Sequence, residues 1–317
     1  VSVMGKIPVV AVLGPTAVGK TRLAAALAKK FGGEVVSADS MQIYRGLPVG
    51  TAQPGREEML GVPHHLIGFL DPSKPFSVAD YRELASRIIR EIRARGRLPF
   101  VAGGTGLYLD ALLSNLRFAP GGRDESLRQK LRKRIGEEGP EPLLRELRSF
   151  DPRSADRIDP QNTGRLIRAV EIYRTTGLTM TEQIERSRKD PPPYDICRIG
   201  LSFRSRAGLY EAINRRVDRM MSDGLLEEAR RVLSLDGAPT AAQAIGYKEF
   251  GPYFRGERTL PEAVEEVKLR SRQYAKRQMT WFRREPDVRW LYREDFPDFP
   301  SLLSGASRIV EEKGWKL

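Results

Sequence analysis

The sequence predicts an α/β fold with a mostly parallel sheet and helices on both of its faces. Over the first 120 residues, short apolar runs of strand type alternate with segments of helical periodicity. A glycine-rich turn joins the first apolar run to the first helix. Residues 121–190 then lose the strand pattern, so we expect a helical insertion within the sheet domain.

The elements before the insertion follow one another in βα order. Ile7–Leu13, Glu34–Ala38 and Leu98–Ala102 predict strands, because each is short, apolar and followed by a polar or glycine residue. Thr21–Phe31 and Val78–Arg95 predict helices from the spacing of their apolar residues, and Gly96 ends the second.

The elements after the insertion predict one further strand and three long helices. Ile196–Phe203 has the apolar pattern of a sheet strand. The helices are predicted at Arg206–Met221, Gly224–Leu235 and Leu260–Arg284.

The inserted segment predicts short helices only. Residues 121–190 hold 16 Lys/Arg and 13 Asp/Glu, and Gly or Pro interrupts them at intervals that suit short helices. We therefore expect residues 1–120 and 195–317 to form the α/β core, and residues 121–194 to form an inserted all-helical domain.

Composition excludes several classes of protein. The chain has 317 residues with 40% hydrophobic and 30% charged residues, which is typical of a globular protein. Its single cysteine, Cys197, excludes an internal disulfide framework and disfavours a cysteine-built zinc site. No apolar run is long enough to span a membrane, so we expect a cytoplasmic protein. The net charge of +13 favours a polyanionic partner without identifying it.

The turn after the first strand carries the most specific motif. Residues 14–21, GPTAVGKT, fit the phosphate-binding loop G-x-x-x-x-G-K-[ST], and they lie between a strand and a helix as that loop requires. Backbone amides of such a loop and the helix N-terminus bind an anion. Lys20 is expected to reach the outer phosphate and the Thr21 hydroxyl to hold Mg²⁺. The motif leaves open whether the ligand is a nucleotide.

The carboxylate pattern argues against a motor or switch ATPase. Such proteins use an acidic residue at the end of another strand, whereas Leu98–Ala102 ends in Gly-Gly-Thr. The strand-end carboxylate is instead Asp39. It is placed either as a general base facing the phosphates or as a cap of the following turn, and spacing alone does not separate the two.

The chain resembles the bacterial tRNA dimethylallyltransferases (tRNA isopentenyltransferases) along nearly its whole length. Beyond residues 14–21, the resemblance is carried by several motifs in the same order as in that family. They are SADSMQIYRGLPVGTA (37–52), GVPHHLIGFLDP (61–72), VAGGTGLYLDALL (101–113), GRLIRAVEIY (164–173), QAIGYKEF (243–250) and YAKRQMTWFRR (274–284). One departure is Gln53, where family members commonly have Lys.

The resemblance implies a P-loop NTPase-like core and a specific reaction. A dimethylallyl group moves from dimethylallyl diphosphate to N6 of the adenosine just 3′ of the anticodon, and diphosphate leaves. By the same resemblance Asp39 is the general base, Thr105 lies beside the reacting amine, and Arg216 binds the diphosphate, with its neighbour Arg215 as the alternative. The diphosphate is expected to contact the whole loop, namely Gly14, Pro15, Thr16, Ala17, Val18, Gly19, Lys20 and Thr21.

The resemblance also implies a tRNA surface and a flipped target base, since a stacked adenosine cannot reach a phosphate-loop cleft. The expected partners are the tRNA anticodon stem-loop and dimethylallyl diphosphate, with Mg²⁺; no obligate protein partner is implied, and a monomer is compatible with the sequence. The residues expected to contact tRNA are Asp39, Ser40, Met41, Gln42, Thr105, Arg128, Gly164, Arg165, Leu166, Ile167, Arg168, Gln243, Ala244, Ile245, Gly246, Tyr247 and Lys248. Among these, Arg128 comes from the basic run RQKLRKR (128–134), which also fits a kinase-like lid or a solvated helix face.

A basic segment near the end of the chain is a further candidate RNA surface. Residues 268–293 hold nine Lys/Arg and two Asp/Glu, a local excess of 9 − 2 = +7. The aromatic residues Tyr274, Trp281, Phe282 and Trp290 lie within it, and we expect them to be mainly core. His64-His65 is expected to be structural, because adjacent side chains rarely converge on one metal ion.

Two other functions are compatible with parts of the pattern. A small-molecule or nucleoside kinase would share the P-loop, an acceptor-side Asp39 and a basic lid. A non-catalytic RNA-binding protein would carry the P-loop as a relic, which the intact Lys20–Thr21 pair argues against.

Overall fold

The computed structural model describes residues 5–116, 118, 124–187, 190–235, 237 and 240–315. Its strands form one six-stranded sheet, and every neighbouring pair is parallel. The strands are β1 (Ile7–Leu13), β2 (Glu34–Ser37), β3 (His64–His65), β4 (Pro99–Gly103), β5 (Tyr194–Ser202) and β6 (Arg289–Tyr292). Their order across the sheet is β3-β2-β4-β1-β5-β6, which places the first strand between one neighbour from each side of the insertion.

Thirteen α-helices are assigned within the described residues. They are α1 (Lys20–Lys30), α2 (Val78–Ala94), α3 (Gly106–Leu113), α4 (Glu125–Glu138), α5 (Glu141–Phe150), α6 (Pro152–Arg157), α7 (Thr163–Thr176), α8 (Met180–Ser187), α9 (Arg206–Ser222), α10 (Leu225–Leu233), α11 (Gly251–Phe254), α12 (Leu260–Phe282) and α13 (Phe299–Glu311). None of them combines the length and the apolarity that crossing a bilayer requires.

The central strand β1 divides the core into two layers because successive side chains point to opposite faces of a sheet. Val10 and Val12 pack with residues of α1, α9 and α13 on one face. Val9, Ala11 and Leu13 pack with residues of α2 and α3 on the other face. The predicted parallel sheet with helices on both faces is therefore confirmed.

The chain divides into two compact units by its contacts, Val1–Leu113 with Pro193–Leu317, and Ser114–Pro192. The second unit contains α4 to α8 and has a small core of its own, which includes Leu143, Leu147 and Leu166. The sequence had placed the boundaries at 120/121 and 194/195, and the first of these lies outside the described residues. The prediction of helices without strands fits every described residue of this unit.

Two edge strands were not predicted. β3 pairs with β2 through His64 and His65 only, and β6 pairs with β5 through Arg289–Tyr292. His65 Nε2 lies 2.7 Å from the buried Glu34 carboxylate, to which Arg95 also donates. These contacts are structural, and the described residues include no cluster of three or more His, Cys, Asp or Glu suited to a metal.

Candidate active site

The P-loop joins β1 to α1 through a strained turn. The backbone at Gly14 lies so close to β5 that a Cβ there would be 2.1 Å from the Leu201 carbonyl oxygen, so only glycine fits. Gly19 and Ala17 both adopt positive φ, 93° and 68°. Such strain is stored where function requires a particular backbone shape, and here it bends the loop around the N-terminus of α1.

Lys20 and Arg216 bring two cations together beside this loop. Lys20 Nζ donates to the Pro15 carbonyl oxygen at 2.5 Å. Burial, followed by the charge of Arg216, lowers the pKa of Lys20 to about 7, while Asp39 acts in the opposite direction. Burial also lowers the pKa of Arg216, again against the effect of Asp39. An anion bound between the two cations would relieve this repulsion.

Three cavities meet at Arg216. The P-loop cavity, of about 540 Å³, includes Lys20 and Thr21 in its wall. The Asp39 cavity, of about 310 Å³, includes Asp39 and Tyr274. A connecting cavity of about 70 Å³ is lined by residues from both sides, Lys20 and Asp39 among them. Arg216 lines all three, so one cleft runs from the phosphate loop to the acidic residue.

Asp39 caps a turn and also faces this cleft. Its Oδ1 accepts hydrogen bonds from the backbone amides of Met41 at 2.9 Å and Gln42 at 3.3 Å. The capping interpretation of the sequence is thus observed, but it does not exclude the other one, because Asp39 also lines the connecting cavity with Lys20. The turn holds the carboxylate in place across from the cations.

Thr105 is fastened to the same turn. Its Oγ1 accepts from the Ser40 amide at 3.1 Å and lies 3.4 Å from the Ser40 hydroxyl. Thr105 follows β4 and Asp39 follows β2, and these two strands are neighbours in the sheet. Parallel pairing therefore brings the two residues to the carboxyl ends of neighbouring strands, where open α/β sheets bind their ligands.

The structure separates the two candidate arginines. Arg216 lines the whole cleft, whereas the exposed Arg215 lines only the P-loop cavity and forms an ion pair with Glu211. Gln53, the departure from the family pattern, donates to the Gln42 and Tyr44 carbonyl oxygens at 2.9 and 2.7 Å. It therefore holds backbone in place and adds no cation to the P-loop cavity.

Two residues of the cleft were missed by the sequence reasoning, and both lie on α12. Tyr274 lines the Asp39 and connecting cavities; burial, then the charge of Asp39, raises its pKa to about 12, so the hydroxyl keeps its proton. Gln278 is buried and bonds to Thr16 and to Gly104. Both lie within the 274–284 segment that carries the family resemblance, but the sequence gives neither a role in the cleft, because their partners are far away in the sequence.

The predicted tRNA residues of the first unit divide into exposed and buried ones. Gln243 and Lys248 are exposed at the Asp39 cavity. Tyr247 is fully buried and its hydroxyl donates to Glu228 at 2.7 Å, so its side chain serves the fold and its contact with RNA stays a prediction. The Gln42 side chain donates to the Ala52 carbonyl oxygen and serves the loop rather than a partner. The remaining predicted residues of this group that line the Asp39 cavity are Ser40, Met41, Ala244, Ile245 and Gly246.

The predicted tRNA residues of the second unit divide in the same way. Gly164 and Arg165 are exposed at the start of α7. Leu166 and Ile167 belong to the core of this unit, because the inward face of α7 buries their side chains. Their contact with RNA stays a prediction. The exposed backbone of the helix start remains a candidate surface.

Arg128 and Arg168 of the same unit are engaged by one acid. Burial alone would raise the pKa of Glu171, but hydrogen bonds from both guanidinium groups lower it to about 2. Arg128 donates through two nitrogens at 2.8 Å each. The Arg128 guanidinium is mostly buried and donates two hydrogen bonds to one carboxylate. This favours a structural role over RNA contact for Arg128.

The basic segment 268–293 is less available than its charge count suggests. Lys268, Arg270 and Arg289 form ion pairs with four acids, all of which lie outside the segment. Phe282 is core as expected, whereas Trp281 is 37% exposed, so the core interpretation was wrong for it. The indole packs over Gly106, where a Cβ would lie 2.5 Å from the ring.

Comparison with known proteins assigns the family. A family model described as IPP transferase matches residues 42–285, and one described as isopentenyl transferase matches residues 7–67. This chain belongs to the IPP transferase family. The family's curated members include a tRNA dimethylallyltransferase of Halalkalibacterium halodurans, which is 47% identical over 305 residues and 96% of each chain.

Solved structures of the family have the same fold. The full-length tRNA isopentenylpyrophosphate transferase of Bacillus halodurans superposes with a TM-score of 0.73 at 44% identity, over 97% of each chain. A eukaryotic dimethylallyltransferase acting on tRNA gives a TM-score of 0.78 at 27% identity, over 96% of this chain and 80% of the other. Family membership identifies the chain as a prenyltransferase and does not support the kinase alternative.

Proposed function

We propose that this chain transfers the dimethylallyl group of dimethylallyl diphosphate to N6 of the adenosine just 3′ of the anticodon in tRNA. The observation that carries the proposal is the single cleft that runs from Lys20 at the phosphate loop, past Arg216, to Asp39, with Thr105 bonded to the turn that carries Asp39. A diphosphate can leave toward the cations while an amine is deprotonated at the opposite wall. The family names of the relatives support the same reaction.

The chemistry follows from the groups at each end. Cleavage of the allylic C–O bond places negative charge on the departing diphosphate, which Lys20, Arg216 and the loop amides stabilise without reorganising. The adenine N6 lone pair is delocalised into the ring, so this amine needs a base to accept its proton as the new C–N bond forms. Asp39 takes that proton, and Thr105 holds the turn and offers its hydroxyl to the amine.

The direct test is a transfer assay. The protein is incubated with an unmodified anticodon stem-loop and dimethylallyl diphosphate carrying a labelled prenyl chain, and the product nucleosides are separated. We expect label on the adenosine 3′ of the anticodon. Transfer of label from γ-labelled ATP to an acceptor, with none from the prenyl donor, would contradict the proposal and favour a kinase.

Magnesium fits the P-loop end of this cleft. Thr21 lines both the P-loop and connecting cavities beside Lys20, and its hydroxyl is a hard oxygen ligand of the type that Mg²⁺ prefers. Because Mg²⁺ commonly binds through few protein groups and the substrate phosphates, a site of one hydroxyl plus diphosphate oxygens suffices. When bound, the ion would neutralise charge on the diphosphate.

Replacing Thr21 by alanine should raise the Mg²⁺ concentration required for half-maximal activity. The hydroxyl contributes one ligand to the ion, and its loss leaves the diphosphate and water to hold it. A magnesium titration of the transfer rate measures the shift, and Thr16→Ala, within the same loop, is the matched control. An unchanged titration curve would remove Thr21 from the metal site.

Arg216→Ala should weaken dimethylallyl diphosphate binding about tenfold to a hundredfold, because a hydrogen bond to a charged group is worth about 1.5–3 kcal/mol. Arg215→Ala removes the same charge from an exposed ion pair and should change affinity far less. Calorimetric titration of both variants with the diphosphate measures the difference. Equal losses would show that only the net charge of the cavity matters.

The tRNA is proposed to be held by exposed cations near the Asp39 cavity. Arg277 lines that cavity and its guanidinium lies 5.7 Å from the Tyr274 ring centre, whereas Lys276 points elsewhere on α12 and lines none of the three cavities. We expect Arg277→Ala to weaken tRNA binding and to lower the log–log salt slope by roughly one unit, because one fewer counterion is released. Lys276→Ala should do less.

Arg289→Ala is the charge-matched control, since Arg289 lies in the same basic segment but pairs with Glu312. Binding isotherms at several salt concentrations give the slopes. If Arg277→Ala and Arg289→Ala alter the slope equally, Arg277 makes no phosphate contact.

Within the described part of the chain, the residues that line the cleft all belong to the first compact unit. We therefore propose that a monomer is active, in the cytoplasm where tRNA is modified. Light scattering at the concentration of the transfer assay tests the oligomeric state.

A further inference from the structure

One buried amide joins the two ends of the cleft. Gln278, on α12, is only 6% exposed. Its Oε1 accepts from the Thr16 backbone amide in the P-loop at 2.9 Å. Its Nε2 donates to the Gly104 carbonyl oxygen, next to Thr105, at 2.8 Å. The amide oxygen thus bonds to the phosphate-binding loop, and the amide nitrogen bonds to the turn that carries Thr105.

The surroundings of Gln278 are built to accept this amide. A Cβ at Gly104 would lie 2.3 Å from Nε2, so a side chain there would displace the amide. Tyr274, one helical turn earlier, lies with Gln278 in the wall of the connecting cavity.

We infer that Gln278 is a positioning residue that sets the separation between the diphosphate and the amine in the transfer step. The inference rests on the proposed function, because it assigns those two groups to the two ends of the cleft. A group transfer depends steeply on the distance between its partners, and a misplacement of about 1 Å can cost about 10²-fold in rate. Through its two hydrogen bonds, Gln278 connects the P-loop, which binds the diphosphate, to the turn of Gly104 and Thr105, which faces the amine.

Two variants separate positioning from mere packing. Gln278→Met keeps the volume but removes both hydrogen bonds, and we expect the single-turnover transfer rate to fall about 10²-fold while tRNA affinity changes little. Gln278→Glu keeps an acceptor for Thr16 but presents a carboxylate oxygen to the Gly104 carbonyl. Below the raised pKa of this buried carboxyl its proton restores the donor. The rate of Gln278→Glu relative to wild type should therefore rise as the pH falls.

The control is Gln273→Glu, an exposed glutamine on the same helix. Its rate relative to wild type should not vary with pH. A wild-type single-turnover rate in Gln278→Met would overturn the inference, as would a Gln278→Glu ratio that does not change with pH. The melting temperature of Gln278→Met shows whether this variant folds. If it does not, the inference is tested by how the rate of Gln278→Glu relative to wild type changes with pH.

Failure of the proposed function has a different signature. It would appear as an absence of prenyl transfer by the wild-type protein. In that case calorimetric binding of inorganic diphosphate still tests half of the inference, because Gln278→Met removes the hydrogen bond that holds the loop at Thr16 and should weaken binding where Gln273→Met does not. Equal affinities in the two variants would contradict the role of Gln278 at the loop.

Discussion

Replacing Asp39 by asparagine should lower the single-turnover rate of prenyl transfer about 10²–10⁴-fold, the usual effect of losing a general base. Asparagine is an equally good cap, and its Oδ1 can still accept from the Met41 amide that Asp39 holds at 2.9 Å. The turn and the site are therefore preserved, and the affinities for tRNA and diphosphate should remain close to wild type. Rapid-quench measurement with both substrates saturating isolates the chemical step.

Asp71 provides a matched control for this substitution. It accepts from the Ser73 amide at 2.9 Å in the same two-residue geometry, but on an exposed turn away from the cleft. Asp71→Asn should leave the transfer rate unchanged. If Asp39→Asn retains a near-wild-type rate, Asp39 is a capping residue only, and the amine loses its proton to another group or to water.

Replacing Lys20 by alanine should reduce turnover about 10²–10³-fold, the typical effect of removing one preorganised donor from a developing negative charge. Diphosphate affinity should also fall, since the ammonium lies in the wall of the P-loop cavity beside Arg216. Arg22→Ala is the control, because it removes a cation of the same cavity wall whose guanidinium lies 4.0 Å from the Phe299 ring centre. Comparable losses of turnover in both variants would show that Lys20 acts only through the net positive charge of the cavity.

The lowered pKa of Lys20 predicts that diphosphate binding is linked to proton uptake. Because its pKa is about 7 without ligand, much of it is neutral above that pH, and binding an anion must recharge it. Diphosphate binding should therefore take up a proton at about pH 8, and affinity should fall as pH rises above 7. Calorimetry in buffers of different ionisation enthalpy measures the uptake, which should vanish in Lys20→Ala. Identical enthalpies for the wild type in all buffers would contradict the prediction.

The parts of the fold that the sequence predicts well are the apolar ones. The bounds of β1 agree with prediction, and those of β2, β4 and β5 agree to within one or two residues, because continuous apolar runs are typical of parallel strands buried on both faces. β3 and β6 escaped because a two-residue bridge and a strand containing Arg289 and Trp290 have no such run. The helix bounds differ by one or two residues at their ends, where capping decides.

The site residues were predictable where the local sequence alone fixes their positions. The P-loop places Lys20 and Thr21 by local structure alone, and the strand end places Asp39. The choice between Arg215 and Arg216 required the rotation of α9 against the sheet, which spacing does not give. Gln278 was unpredictable because its partner Thr16 lies 262 residues away. The exposure of helix faces likewise decided which residues of 164–168 can reach a partner.

The strand order has a consequence for how the chain is made. β1 pairs with β5 along seven residues, from Ile7 with Tyr194 to Leu13 with Gly200, and β5 follows the whole of Ser114–Pro192. At ribosomal rates of about 5–20 residues per second, those 79 residues take roughly 4–16 s to synthesise. During that interval β1 can pair with β4 but still lacks β5, so one of its edges has no partner. An unpaired edge is where a nascent chain aggregates or recruits a chaperone. The inserted helices thus set a waiting time for closure of the catalytic domain around its phosphate loop.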